Sequence, residues 1–206
     1  MASQMTIRTK ISIITILLVF TISSLPVPVN AAGSSLTLSE LPGVEFSADS
    51  GENEQGVLLR LSIDNLITLQ IVQQPVKNSN FVTPLSDSVT EYKTASNFGT
   101  VGLLAHNYLA GRYFFQISPG QKIELVYSDN KTKSFVVTEI QRYQALVPDS
   151  PSSDFNDLTS GEYLTASQLF NKVYRNQKGH LVLQTCISAG NNSSWGRLFI
   201  IAKPAS

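Results

Sequence analysis

Charge is scarce in this 206-residue chain: Asp, Glu, Lys and Arg make up 15% of it, and the 15 basic side chains balance the 15 acidic ones. Ordinary soluble proteins carry about 25%. A nucleic-acid partner held by charge is excluded, because counterion release needs a basic surface and no Lys/Arg cluster exists to make one. Cysteine occurs once, which excludes an internal disulfide. With only 2 histidines beside that cysteine, a zinc site is disfavoured, and no cofactor is expected. No internal repeat or linker divides the sequence. What the chain does have is apolar residues, 42% of the total with a mean hydropathy of +0.04. That is enough for a sizeable core and too much for disorder over most of the length, and the length suits one domain or at most two.

The start of the chain reads as a targeting segment. Arg8 and Lys10 precede an uncharged run from Ile11 to Val29, and Val29-Asn30-Ala31 offers small residues at the positions a signal peptidase reads. An uncleaved anchor competes with that reading, since the run could just span a ~30 Å hydrocarbon core at ~1.5 Å per residue. Pro26 and Pro28 weaken its last third as a helix. The expected organisation is a signal peptide or N-terminal membrane anchor over residues 1–31, a flexible segment over 32–56, and a folded domain over 57–206. Membrane association, where it occurs, runs through residues 11–29. Either way the folded part is extracytoplasmic, secreted or held at the outer face of the cytoplasmic membrane. In that compartment the lone Cys186 is a buried inert thiol, an intermolecular link or a reactive nucleophile.

The exported part reads as short strands. Val57–Ile63 alternates Leu59, Leu61 and Ile63 and is followed across Asp64-Asn65 by a second run, Leu66–Val72. Gly99–Leu104 is a short apolar run. Gln121–Tyr127 and Ser134–Gln141 flank turn chemistry at Ser128–Lys133. His180–Cys186 and Arg197–Ala202 flank an Asn-rich connection. Polar stretches at Pro75–Thr100 and Val147–Gly161 read as long loops. One helical stretch is expected at Thr165–Arg175, with Leu169, Phe170, Val173 and Tyr174 on one face behind a Thr cap. Many short strands with little helix predict an all-β fold, a closed barrel or sandwich of about eight strands.

Thiol catalysis on a peptide bond needs a thiolate, a proton donor for the leaving amine and a group that holds the oxyanion. Cys186 is the one available thiol, and His106 and His180 are the only imidazoles. His180 precedes Cys186 by six residues on one predicted strand, about 20 Å at ~3.3 Å per residue, so it cannot reach the sulfur. His106 can be brought near only by the fold. Arg197 opens the strand expected to run antiparallel to that of Cys186, and its planar guanidinium suits a carbonyl oxygen.

Val182-Leu183-Gln184-Thr185-Cys186, then Trp195-Gly196-Arg197-Leu198-Phe199-Ile200, and upstream Gly102-Leu103-Leu104-Ala105-His106 with Tyr113-Phe114-Phe115 and Pro119-Gly120 together resemble the sortases, cysteine transpeptidases of bacterial surfaces. Four of the five positions of that family's Thr-Leu-x-Thr-Cys motif match, Val182 standing for the first Thr. Ala105 stands where the family has Gly. The resemblance covers about residues 57–203 and implies a closed sortase-like β-barrel of about eight strands, with residues 57–206 as the catalytic domain. It implies Cys186 as nucleophile, His106 as the acid that protonates the leaving amine, Arg197 as oxyanion stabiliser, and Thr185 as a residue orienting substrate. It further implies partners: secreted proteins bearing a C-terminal sorting motif, and an amine acceptor on the cell wall or on another protein. The two long loops are expected to wall the peptide groove. Some sortases hold calcium, but Asp87, Glu91, Asp154, Asp157 and Glu162 lack dense carboxylate spacing and read as solvated loop residues. The competing function is a non-catalytic exported β-barrel that binds peptides or wall polymers and keeps Cys186 for packing.

Overall fold

A computed structural model of the chain describes residues 56–206. The expected signal peptide or anchor of residues 1–31, and all but the last residue of the segment 32–56, lie outside the described residues. Among those described, no helix is long and apolar enough to cross a membrane.

Ten strands form one sheet: β1 (Leu58–Ile63), β2 (Ile67–Gln73), β3 (Ser88–Glu91), β4 (Val101–Leu104), β5 (Lys122–Tyr127), β6 (Thr132–Ala145), β7 (Phe155–Asp157), β8 (Tyr163–Leu164), β9 (Leu181–Ala189) and β10 (Asn192–Pro204). Neighbours run β10-β9-β4-β3-β2-β1-β5-β6, and β6 pairs back onto β10, so eight strands close into a barrel. The expectation of a closed barrel of about eight strands is met. β7 and β8 extend the sheet off the far half of β6.

Alternation decides which side chains fill the barrel. On β9, Leu181 and Leu183 point inward to a cluster with Leu198, Ile200, Leu61, Ile123 and Leu125, whereas Val182 points outward. Outside the barrel a second apolar cluster joins Val182, Phe199, Ile201 and Tyr143 to the helical segment that follows β8. That segment comprises α2 (Ala166–Phe170) and a π turn over Asn171–Arg175. Thr165 caps it through a full capping box: its side chain accepts from the Gln168 N–H, and the Gln168 side chain accepts from the Thr165 N–H. Leu169, Val173 and Tyr174 are buried against the outer face of the barrel.

Two stretches read as loops contain structure. Pro75–Thr100 holds β3 and the short helix α1 (Lys93–Ser96). The polar sequence Ser-Val-Thr-Glu hid β3. Yet Ser88, Val89 and Thr90 are buried, and the Thr90 hydroxyl accepts from the Thr83 N–H at 2.8 Å, so the buried polarity is satisfied inside the segment. Val147–Gly161 likewise holds β7, paired antiparallel with the end of β6. The Asn-rich connection is shorter than expected, because β9 and β10 run on to a tight turn at Gly190-Asn191.

Candidate active site

Cys186 lies on β9, and in the antiparallel β9–β10 ladder its direct partner is Arg197. Residues so paired have Cα atoms about 4.5–5.5 Å apart, with side chains on the same face. Both belong to the outward set, since their inward neighbours Thr185 and Leu198 are buried. On the other side of β9 lies β4, parallel, with Leu104 opposite Gln184. The Ala105 N–H continues this register, donating to the Gln184 carbonyl at 3.1 Å. Two residues beyond each member of that pair stand His106 and Cys186. Three strands thus deliver His106, Cys186 and Arg197 to one groove of about 550 Å³ on the outer face of the barrel.

The walls come from elsewhere. Leu169, Phe170 and Tyr174 of the helical segment form one side, and Pro148–Pro151 and Ser79, Asn80 and Val82 contribute edges. Pieces of both predicted long loops therefore do line the groove. Tyr174 sits in an aromatic cluster with Tyr92, Phe170 and Phe199, the ring centroids lying 5.3–6.1 Å from its own. Gly102 makes room for it: a Cβ there would come within 2.8 Å of the Ala95 Cβ and 3.2 Å of the Tyr174 ring.

The backbone at His106 is tightly held. Its carbonyl accepts from both the Leu109 and the Gly111 N–H at 3.0 Å, folding the chain into the 3-10 helix Ala110–Gln116. A Cβ on Gly111 would lie 2.3 Å from the Thr185 hydroxyl, so only glycine allows this approach. Thr185 is buried, and its hydroxyl donates to the Ala105 carbonyl at 2.8 Å. It lines the groove on the strand beside Cys186, but its hydrogen bond holds the segment leading to His106 rather than facing outward. Next along, the Asn107 amide donates to the Ser188 hydroxyl at 2.8 Å and to the Ser193 carbonyl at 2.9 Å. This fastens the histidine segment to the β9–β10 hairpin. The Tyr108 ring stacks on the His106 imidazole at 5.3 Å with 23° between planes.

Arg197 reaches across the groove. One terminal nitrogen donates to the carbonyls of Ser194 (2.8 Å) and Gly196 (2.9 Å), and the other to that of Pro148 (3.3 Å) in the facing wall. These three bonds fix the plane of the guanidinium. Cys186 is half-buried and unbonded to another sulfur.

His180, Asp154 and Asp157 do not line this groove. His180 precedes the far end of β9, its Nδ1 2.6 Å from the Gln177 side-chain oxygen. Burial, then nearby Lys203, pulls its pKa below the usual imidazole value. Asp154 accepts from the Tyr163 hydroxyl and from the Ala166 N–H. Those bonds hold its carboxyl below the ordinary aspartate range. Asp157 faces Lys172 at 3.7 Å. Among the described residues no group of three or more His, Cys, Asp and Glu is placed to hold a metal.

Sequence reasoning did not single out Gln184, Tyr174, Asn107 or Pro148. Strand alternation from Cys186 could have put Gln184 on the groove face; the others depend on contacts across the fold.

No family model and no curated protein matches the chain. Among solved structures it is similar to sortase C-1 from Actinomyces oris, at 16% identity over 72% of this chain and 71% of that one, TM-score 0.48. It is also similar to sortase C from Clostridium perfringens SM101, at 16% identity over 74% and 72%, TM-score 0.45. The likeness to Listeria monocytogenes sortase A is 12% identity over 73% of this chain and 88% of that chain, TM-score 0.44.

Proposed function

We propose that the chain is a cysteine transpeptidase of the sortase kind, working outside the cytoplasm on secreted proteins that bear a C-terminal sorting motif. The observation that carries this reading is the meeting of Cys186, His106 and Arg197 in one groove of about 550 Å³. Cys186 as thiolate attacks a peptide carbonyl and forms the C–S bond, while the carbonyl pair moves onto oxygen. Arg197 stabilises that oxyanion by charge-assisted hydrogen bonding. Collapse breaks the C–N bond, and His106, entering the step as imidazolium, gives its proton to the departing amine. An amine from the cell wall or from another protein then attacks the thioester, His106 takes back a proton, and the thiolate leaves with a new amide in place. Water in the same role gives hydrolysis. Thr185 acts by holding the His106 segment.

The competing reading, a binding barrel with a packing cysteine, draws on Arg197's three carbonyl bonds, which suit a structural tie. Folded protein treated with iodoacetamide and with a randomised pool of hexapeptides, then weighed intact, separates the two. Transpeptidase chemistry requires alkylation at Cys186, a thioacyl adduct from the pool, and loss of both in Cys186→Ala. A folded protein that forms no thioacyl adduct rejects the enzyme reading.

A further inference from the structure

Two residues before Cys186, on the same face of β9, lies Gln184. Its side chain is half-buried, lines the groove, and has its Oε1 accepting from the Tyr174 hydroxyl at 2.6 Å. The Nε2 of the same amide makes no hydrogen bond among the described residues. We propose that Gln184 is a specificity-determining residue of the groove, its Nε2 donating to a carbonyl oxygen of the acyl-donor peptide about two residues from the bond that Cys186 attacks. This inference rests on the groove being a peptide site.

The geometry supports it in three ways. First, the Tyr174 hydroxyl donates to the Oε1 of the amide, which leaves the Nε2 end for another partner. Burial pushes the Tyr174 phenol well above the usual tyrosine value, so it keeps the proton it donates. Second, Tyr174 cannot swing away. Its ring is clamped by Tyr92, Phe170 and Phe199 and by the close pass of Gly102. The amide is therefore held with its N–H end free before any ligand arrives. Third, a spacing of two residues along a strand is about 6.6 Å, which equals two residues of an extended peptide lying alongside. This donor is not sealed from water, and a peptide carbonyl can replace water as its acceptor. Leu104 and Phe199 present apolar surface in the same groove, so the Gln184 amide is a polar group placed to fix register.

The test uses the folded chain with Cys186→Ala, so that nothing reacts, and the randomised hexapeptide pool as probe. The side-chain NH2 signals of Gln184 in a ¹⁵N–¹H spectrum are assigned by their absence in Gln184→Met. On addition of the pool they should move downfield as the groove backbone signals shift. Thioacyl formation in the Cys186-intact protein should fall about 2- to 13-fold in Gln184→Met, the worth of one neutral hydrogen bond. It should fall further in Gln184→Glu, which keeps the acceptor for Tyr174 but turns an acceptor toward the peptide. Tyr174→Phe should lower it in the native background and add nothing in Gln184→Met, because only the amide transmits its effect. A purely structural role predicts losses of thioacyl formation that follow each variant's loss of folding stability, and Gln184 amide signals that stay still when the pool is added. Groove signals that shift while the Gln184 amide stays still overturn this assignment alone. A pool that moves no groove signal overturns both it and the peptide-site reading. A Gln184 shift in a protein that never acylates supports the assignment and rejects the transpeptidase.

Discussion

The groove has a floor and walls, and they are built differently. The floor is β4, β9 and β10, where Gln184, Cys186 and Arg197 sit at register positions fixed by ladder bonds over buried Leu183, Thr185 and Leu198, and His106 follows directly on β4. The helical wall packs on the barrel through Leu169, Val173 and Tyr174, but the Pro148–Pro151 wall is held by single side-chain ties: Ser153 to Val147, Asp154 to Tyr163 and Ala166, and Arg197 to Pro148. A floor of this kind moves only if the barrel opens. Walls of this kind move when one bond is lost, and that is where segments that admit a ligand are expected to be weak.

The contrast can be broken most forcefully from beneath. Leu183 is wholly buried under the floor, one strand position from Gln184, so Leu183→Ala should remove about 2–5 kcal/mol of stability. Chemical denaturation would read it, and a loss below 1 kcal/mol would mean the floor is not packed as described. Arg197 belongs to the floor yet grips a wall, so its variant sharpens the division. If its planar fork holds an oxyanion, Arg197→Lys should raise the barrier by about 2.7–4 kcal/mol on an amide and on the matching thioester alike. Near-native turnover of both substrates by the lysine variant would assign Arg197 to the wall alone. For the walls themselves, the Ser153 hydroxyl is buried, accepting from the Val147 N–H at 2.9 Å and donating to the Asp154 carbonyl at 2.7 Å. Ser153→Ala should cost about 0.5–1.5 kcal/mol in stability and raise KM more than it lowers kcat. An unchanged KM would argue that this wall does not touch substrate.

The smallest effect is one of pH. Asp154 is half-buried, and its folded pKa is depressed chiefly by the Tyr163 hydroxyl and then by the Ala166 N–H. Its contribution is therefore present above the ordinary aspartate pKa of 3.8 and is lost as pH falls through the lower folded value. Asp154→Asn should be slightly less stable than the native chain at pH 7, and the two melting curves should converge in strong acid. A gap that persists there would mean the carboxylate charge is not what the wall uses.

Floor and walls also differ in how far the sequence discloses them. The alternation of Leu181, Leu183 and Thr185 against Val182, Gln184 and Cys186 is local, and so is that of Leu198 and Ile200 against Arg197 and Phe199. The same-face pairing of cysteine and arginine follows from it once the hairpin is granted. The meeting of His106 with Cys186 is not local. It depends on a parallel pairing of β4 with β9, whose anchoring bond from Thr185 to Ala105 spans eighty residues. Motif resemblance had to supply what periodicity could not. β3 stayed hidden because Ser88 and Thr90 are buried polar residues satisfied by neighbours within their own segment, a pattern that reads from outside as loop. The Tyr174 hold on Gln184 was invisible for a related reason. Each residue alone is an ordinary helix or strand choice, and their contact exists only after the helical segment docks on the barrel.

The double pairing of β10 has a consequence for biosynthesis. This strand follows all others of the barrel in the chain, yet it lies between β9 and β6 and carries Arg197. Until it inserts, β6 and β9 both present bare edges, and the thiol at Cys186 has no guanidinium beside it. A chain emerging from a ribosome or a translocation channel therefore carries a solitary cysteine rather than a triad until its final strand zips into place. The pairing with β9 is a local hairpin, whereas the pairing with β6 that closes the barrel is distant in sequence and slower to form. On the transpeptidase reading proposed above, the insertion of β10 that closes the barrel is also the step that gives Cys186 its oxyanion donor.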